Sequence, residues 1–234
     1  MYHSIGSIKR GEGLRNIHTP KWLFTLQLYI LKILGYKGMC MTDLLPYLKG
    51  KKSGKVFGIT FDDGYQNNFS KALPVLLKLK FNATCYIVAN NIGGINYWDS
   101  NKGASSKQMM NKSEIFKWIN SGMEIGSHSL NHIKLADLNA LDAREEIYKS
   151  KIYLEKTFNL KINHFCYPYG SYDHSKTTKI ASESGYLSSV TVKRGRCSTK
   201  ENLYTLPRVL MTHRTYPIRL LLKIFTDYED RRGE

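Results

Sequence analysis

Residues 56–88 read VFGITFDDGYQNNFSKALPVLLKLKFNATCYIV, and three segments are visible in them. Val56–Phe61 is a nearly continuous apolar run, the pattern of a strand buried on both faces. Asn68–Leu79 reads as a helix, with Pro74 accommodated as a kink or as a late residue of the first turn. Ala83–Val88 is a second apolar run. Strand, helix and strand at this spacing predict parallel pairing through a right-handed crossover.

The alternation continues outward in both directions. Thr19-Pro20 predicts the cap and first position of a helix carrying Leu23, Leu26, Ile30 and Leu34, with Gly35 closing it. Gly38–Met41 reads as a short strand, and Thr42 as the cap of a brief helix with Leu44, Leu45 and Leu48 inward. Beyond residue 88, helices are expected over Ser113–Ser121, Leu138–Phe158 and Ser175–Ser184. Strands are expected over Met123–Gly126, Asn163–Tyr167 and Leu187–Val192. Seven or eight such units favour closure over an open sheet, so the fold class is α/β, an incomplete (β/α)7-type barrel. One domain is expected over residues 1–234, with 217–234 forming a basic amphipathic helix and tail. In a barrel of this kind the chemistry lies on the loops after the carboxyl ends of the strands.

Composition narrows the class. The 234 residues suffice for a full core, and 42% of them are hydrophobic. No stretch is long and apolar enough to span a bilayer, since the run from Trp22 to Leu34 is interrupted by Lys32. The opening residues MYHSIGSIKR lack the order of a secretory signal, so a cytoplasmic location is expected. Cys40, Cys85, Cys166 and Cys197 form no CxxC pair, which argues against a disulfide framework or a zinc knuckle. The formal charge of +16 draws phosphate-bearing partners of any kind. No helix-turn-helix, zinc-finger or RNP-type pattern accompanies it, and nucleic acid is not an expected partner.

Three motifs fall at predicted strand ends. Asp62 and Asp63 emerge where the run Val56–Phe61 stops; such a pair serves as a turn and helix cap, or as one cation ligand beside one proton acceptor. His128-Ser129-Leu130-Asn131-His132 follows the strand Met123–Gly126, and histidines four apart reach one ion if the segment is helical. Two imidazoles and a carboxylate from separate strand ends form an open ligand set common for catalytic zinc. Phe165-Cys166-Tyr167-Pro168-Tyr169-Gly170 ends the next strand in a rigid turn, whose backbone N–H groups can face a developing oxyanion.

The TFDDGY, HSLNH and YPYG segments, in this order and spacing, make the chain resemble the NodB-like polysaccharide deacetylases, carbohydrate esterase family four. The resemblance runs from Tyr2 to about Leu210. It implies a distorted barrel and a hydrolase that removes an N-acetyl group from an amino sugar. The implied roles are Asp62 as general base, Asp63, His128 and His132 as ligands of a divalent metal, and the Tyr169 N–H as oxyanion donor. Zn2+ is the expected metal, with Co2+ and Ni2+ as substitutes. Two positions depart from the family pattern. Cys166 stands where an Arg that positions the base is usual, and Arg208 is the candidate to replace it. The usual Leu-x-His strand near the C-terminus is missing, since Leu210-Met211-Thr212-His213 has the wrong spacing. Met1-Tyr2-His3-Ser4-Ile5 instead resembles the N-terminal segment of a permuted subgroup, similar to deacetylases of biofilm poly-N-acetylglucosamine. His3 is therefore the first candidate for general acid and His213 the second, although the strand before His3 then has only two residues.

The substrate implied is an N-acetylated amino sugar, in a finished glycan or in a lipid-linked or nucleotide-linked precursor. Pro217–Phe225 is cationic and amphipathic; its apolar side packs inward as the last barrel helix, or meets an anionic membrane surface at the inner face. A rival of another class is a catalytically silent carbohydrate-binding protein on the same scaffold.

Overall fold

The computed structural model describes residues 1–7, 11, 13–103 and 105–233. Two short strands, β1 (Ser4–Ile5) and β2 (His18–Thr19), pair in parallel ahead of α1 (Lys21–Ile33). Next come β3 (Lys37–Met39), α2 (Met41–Leu48) and β4 (Val56–Gly58), with β3 and β4 paired in parallel. The chain continues through β5 (Thr60–Phe61), α3 (Leu73–Leu79), β6 (Thr84–Ile87), α4 (Lys112–Asn120) and β7 (Glu124–Ser127). It then runs through α5 (Ala140–Arg144), α6 (Ser150–Phe158), β8 (His164–Cys166), α7 (Thr177–Glu183), β9 (Ser188–Arg194), β10 (Leu206–Arg208) and α8 (Pro217–Phe225).

The central sheet has six strands in the order β10-β9-β8-β7-β6-β5, every neighbour parallel. Residues 1 and 2 link its two edges. Tyr2 N donates to the Thr60 carbonyl at 2.8 Å and Asp62 N to the Tyr2 carbonyl at 3.0 Å. On the other side Met1 N donates to the Val209 carbonyl at 2.9 Å and Met211 N to the Met1 carbonyl at 3.0 Å. The incomplete (β/α)7 barrel thus has six full strands, and a two-residue stave ahead of His3 stands in the seventh place.

Packing follows the residue pattern. Outside the sheet, Phe24 of α1 and Trp118 of α4 meet the Tyr2 and Phe61 rings at centroid distances of 5.0 to 5.9 Å. Inside, Tyr86, Cys166, Val190 and Leu206 form a smaller buried cluster with Met41 and Leu48, so α2 covers the amino ends of the strands. Glu124, the first residue of β7, fixes α2 there by accepting from Met41 N at 3.0 Å and Thr42 N at 3.3 Å.

Several expected elements are shifted. Thr19 belongs to β2 rather than capping α1, whose cap is Pro20. The apolar run Val56–Phe61 is two strands, because at Ile59 the chain leaves β3 to pair with β6. The long helix expected over Leu138–Phe158 is interrupted by a π-helical turn at Glu145–Lys149. β10 was not expected: Pro207 obscures it, and proline is tolerated there because the strand lies at the sheet edge. In α8 Leu220 is buried in the core and Ile224 packs against it, Lys223 is buried beside them, and Ile218, Leu221, Leu222 and Phe225 are exposed, so the helix packs inward with part of its apolar surface only. Among the described residues no helix is long and apolar enough to cross a membrane.

Candidate active site

Each expected site segment lies at the carboxyl end of a strand or in the next loop. Asp62 and Asp63 follow β5 in a tight turn, with Asp63 (φ 73°) and Gly64 (φ 81°) both in the left-handed region. Such a turn favours Asp and Gly over branched residues. His128 follows β7 directly. The segment from His128 to His132 is a loop rather than a helix, with Ser129 at φ 63° and His132 at φ 55°. Its fold still brings the two imidazoles together, with ring centroids 4.9 Å apart.

That loop is held from below. Ser129 Oγ accepts from His132 N at 3.0 Å. Glu146, 6% exposed in the π-helical turn, accepts from Leu130 N and Asn131 N, each at 3.0 Å, and from Asn131 Nδ2 at 2.6 Å. A π turn adds a residue to the helix and re-aims one side chain, here a carboxylate toward the loop. Sequence reasoning missed Glu146 because no helical or motif spacing marks it.

Asp63 Oδ1 lies 3.3 Å from His128 Nε2 and 3.2 Å from His132 Nε2. His128 Nδ1 is 2.8 Å from the Cys166 carbonyl, which can only accept, so a proton sits there and Nε2 is the atom left to hold a cation. Without one, and despite burial, Cys166 and the hydrogen bond to Asp63 hold the imidazole well above its ordinary range. Burial pushes His132 below the ordinary imidazole range, against the pull of Asp63, and so favours the neutral, ligating form. Three buried donor atoms therefore converge with a carboxylate among them, and the set fits a divalent cation. Among the described residues a second convergent set is Asp62, His128 and Cys166, but Asp62 already faces the Arg208 cation, which disfavours a metal ion beside it.

Arg208 grips both Asp62 oxygens. Its Nη1 donates to Asp62 Oδ1 at 2.6 Å and its Nη2 to Oδ2 at 2.7 Å, a bidentate clamp. The guanidinium is itself fixed by the Thr191 carbonyl at 2.8 Å, Thr60 Oγ1 at 3.2 Å and Cys166 Sγ at 3.3 Å. Burial opposes ionisation of Asp62, yet the adjacent Arg208 charge and hydrogen bonds bring its carboxyl down to about 2. His3 Nε2 stands 3.8 Å from Asp62 Oδ2, and among the described residues its buried Nδ1 has no hydrogen-bond partner.

His3, Asp62, Asp63, His128 and His132 line one cavity of about 140 Å³, together with Trp98, Asp99, Tyr169 and Val192. His213 is not among its lining residues. The Trp98 ring stacks on His132 at 4.3 Å, and the Tyr169 ring meets His132 at 4.6 Å. Tyr169 occupies the turn Pro168–Gly170 with φ 57°. Gly170 is required beside it, since a Cβ there would approach Val192 Cγ2 to 2.2 Å at φ +66°. Trp98 and Asp99 went unnoticed in the sequence because they lie in the loop between β6 and α4, outside every motif.

Comparison with known proteins agrees with this geometry. The polysaccharide deacetylase family model matches residues 49–188. YxkH of Bacillus subtilis (strain 168), named as a polysaccharide deacetylase, is 31% identical over 211 residues, covering 89% of this chain and 69% of the relative. The poly-beta-1,6-N-acetyl-D-glucosamine N-deacetylase of Staphylococcus epidermidis is 25% identical over 232 residues, covering 97% of this chain and 79% of the relative. The Streptococcus pyogenes deacetylase PplD, solved in complex with acetate, superposes with a TM-score of 0.82 at 24% identity, covering 95% of each chain. Motifs, barrel and matched region coincide, and the chain belongs to the polysaccharide deacetylase family of hydrolases.

Proposed function

We propose that this protein is a metal-dependent N-deacetylase that hydrolyses the acetamide of an N-acetylated amino sugar in a glycan, releasing acetate. The observation that carries the reading is the side-by-side arrangement of two differently held carboxylates: Asp63 between two histidines, Asp62 clamped by Arg208. A divalent cation, Zn2+ by the chemistry of two imidazoles and a carboxylate, held by Asp63, His128 and His132 would supply Lewis acidity to the attacking water and the acetamide carbonyl.

The remaining steps belong to the chain. Asp62, ionised across the working range, accepts the proton of the attacking water. As negative charge grows on the acetamide oxygen, the Tyr169 N–H donates to it, a contribution on the order of 3 kcal/mol. His3, on the cavity wall beside Asp62, protonates the departing nitrogen, which is too basic to leave as an anion. Burial pushes the Tyr169 phenol up to about 12, so its ring stays neutral beside His132. The Staphylococcus epidermidis relative supports N-acetylglucosamine as the sugar.

The test is acetate release from β-1,6-linked N-acetylglucosamine oligomers, with metal content measured on the same preparation. Turnover should vanish on chelation and return with Zn2+. Protein carrying a full equivalent of metal that releases no acetate from any N-acetylated amino sugar would refute the reading.

A further inference from the structure

The last helix turns Leu220 and Ile224 to the core and presents a second apolar stripe to solvent. α8 buries Leu220 and Lys223; Lys223 Nζ donates to the Leu210 carbonyl at 2.7 Å and pairs with buried Glu229. Ile218, Leu221, Leu222 and Phe225, at i, i+3, i+4 and i+7, are 78%, 39%, 40% and 62% exposed. At about 100° per residue these four occupy one stripe, roughly 100° wide, on the side away from the core. Trp22 of α1, 57% exposed, and Tyr216, 53% exposed, extend it, with ring centroids 6.1 Å apart. A contiguous apolar patch of this kind marks a contact surface.

Charge identifies the partner. Neither α1 nor α8 contains an acidic residue. The acids just beyond α8 are engaged: Asp227 with Arg231, Asp230 with Arg196, and Glu229 with Arg194 and Lys223. Among the described residues no carboxylate pairs with Lys21, Arg214 or Arg219, which are exposed on or beside the two helices. An apolar stripe, aromatic rings at its end and unpaired cations around it match the headgroup region of an anionic bilayer.

We propose that α8, together with Trp22, docks this protein on the surface of an anionic lipid bilayer. Both helices begin at the cavity end of the barrel, α1 after β2 and α8 after β10. The proposal stands apart from the deacetylase reading, because it is tested by binding alone, without substrate.

The experiment is co-sedimentation of the full chain with phosphatidylcholine vesicles, with and without roughly one-third phosphatidylglycerol. Binding is expected to the anionic vesicles only, and to weaken at least about tenfold when salt rises from about 50 mM to about 500 mM. The double variant Ile218→Ser, Phe225→Ser changes exposed side chains, so its Tm should be unchanged while its partition coefficient falls at least about tenfold. Absence of binding to anionic vesicles at low salt would overturn the proposal. So would undiminished binding of the variant, or a lipid-free dimer that the same variant dissociates, since a second copy would then cover the stripe.

Discussion

Arg208 closes both oxygens of Asp62, at 2.6 and 2.7 Å, from a strand 146 residues further along the chain. The planar fork matches a carboxylate in a way that a lysine cannot. Among the groups assigned to the reaction Arg208 touches only Asp62, the carboxylate that would take the proton, so it is a positioning residue. Arg208→Lys should lower kcat roughly 10- to 100-fold while leaving KM and bound metal near wild type. Steady-state kinetics with metal analysis checks this. A matching rise in KM, or loss of metal, would show that Arg208 holds the site together more generally.

The Arg208 clamp also shows where sequence reasoning runs out. Asp62, Asp63, His128 and His132 were legible because each follows an apolar strand, and the barrel gathers strand ends at one place. Arg208 was recognisable only as a substitute for an Arg missing at Cys166, since β10 is short and contains Pro207. Cys166 Sγ lies 3.3 Å from the Arg208 Nη2, so the cation reaches the space beside Cys166 from β10, two strands away across β9. Glu146 depends on a π turn, and Trp98 on a loop fold; neither leaves a periodic trace. The sequence left the facing of α8 open because apolar residues run almost all round it: Leu220 and Ile224 turn to the core while Ile218, Leu221, Leu222 and Phe225 turn outward.

The two carboxylates should separate in function. Asp62→Asn removes the proton acceptor and leaves one oxygen to accept from the Arg208 fork, and is expected to lower kcat by at least about 100-fold with metal retained. His132→Ala removes one of three converging donors and should lose both metal and activity. Metal content after exhaustive dialysis discriminates the two. Full retention of metal in His132→Ala would remove that residue from the ligand set.

Glu146 supports the histidine loop through three hydrogen bonds without reaching the cavity. In Glu146→Gln one side-chain oxygen becomes an NH2 group, which cannot serve both backbone N–H groups and the Asn131 amide. Metal affinity is expected to fall about 10- to 100-fold, as for other groups that orient ligands from behind. Competition with a chromogenic chelator measures it. An unchanged affinity would mean that the loop holds its shape without the carboxylate.

The choice between His3 and His213 follows from their positions. His3 lines the cavity and approaches Asp62 to 3.8 Å, and the two-residue stave before it is bonded on both sides. His213 does not line the cavity, and burial holds its imidazole below the ordinary range. A group that protonates the leaving nitrogen must reach it, so geometry decides before acidity does. His3→Gln should lower kcat roughly 100-fold with metal content unchanged, while His213→Gln stays within about twofold of wild type. A substrate whose amine leaves more readily should recover most of the His3→Gln loss, because such a group needs less help from an acid. No recovery, or the larger loss in His213→Gln, would take the acid role from His3.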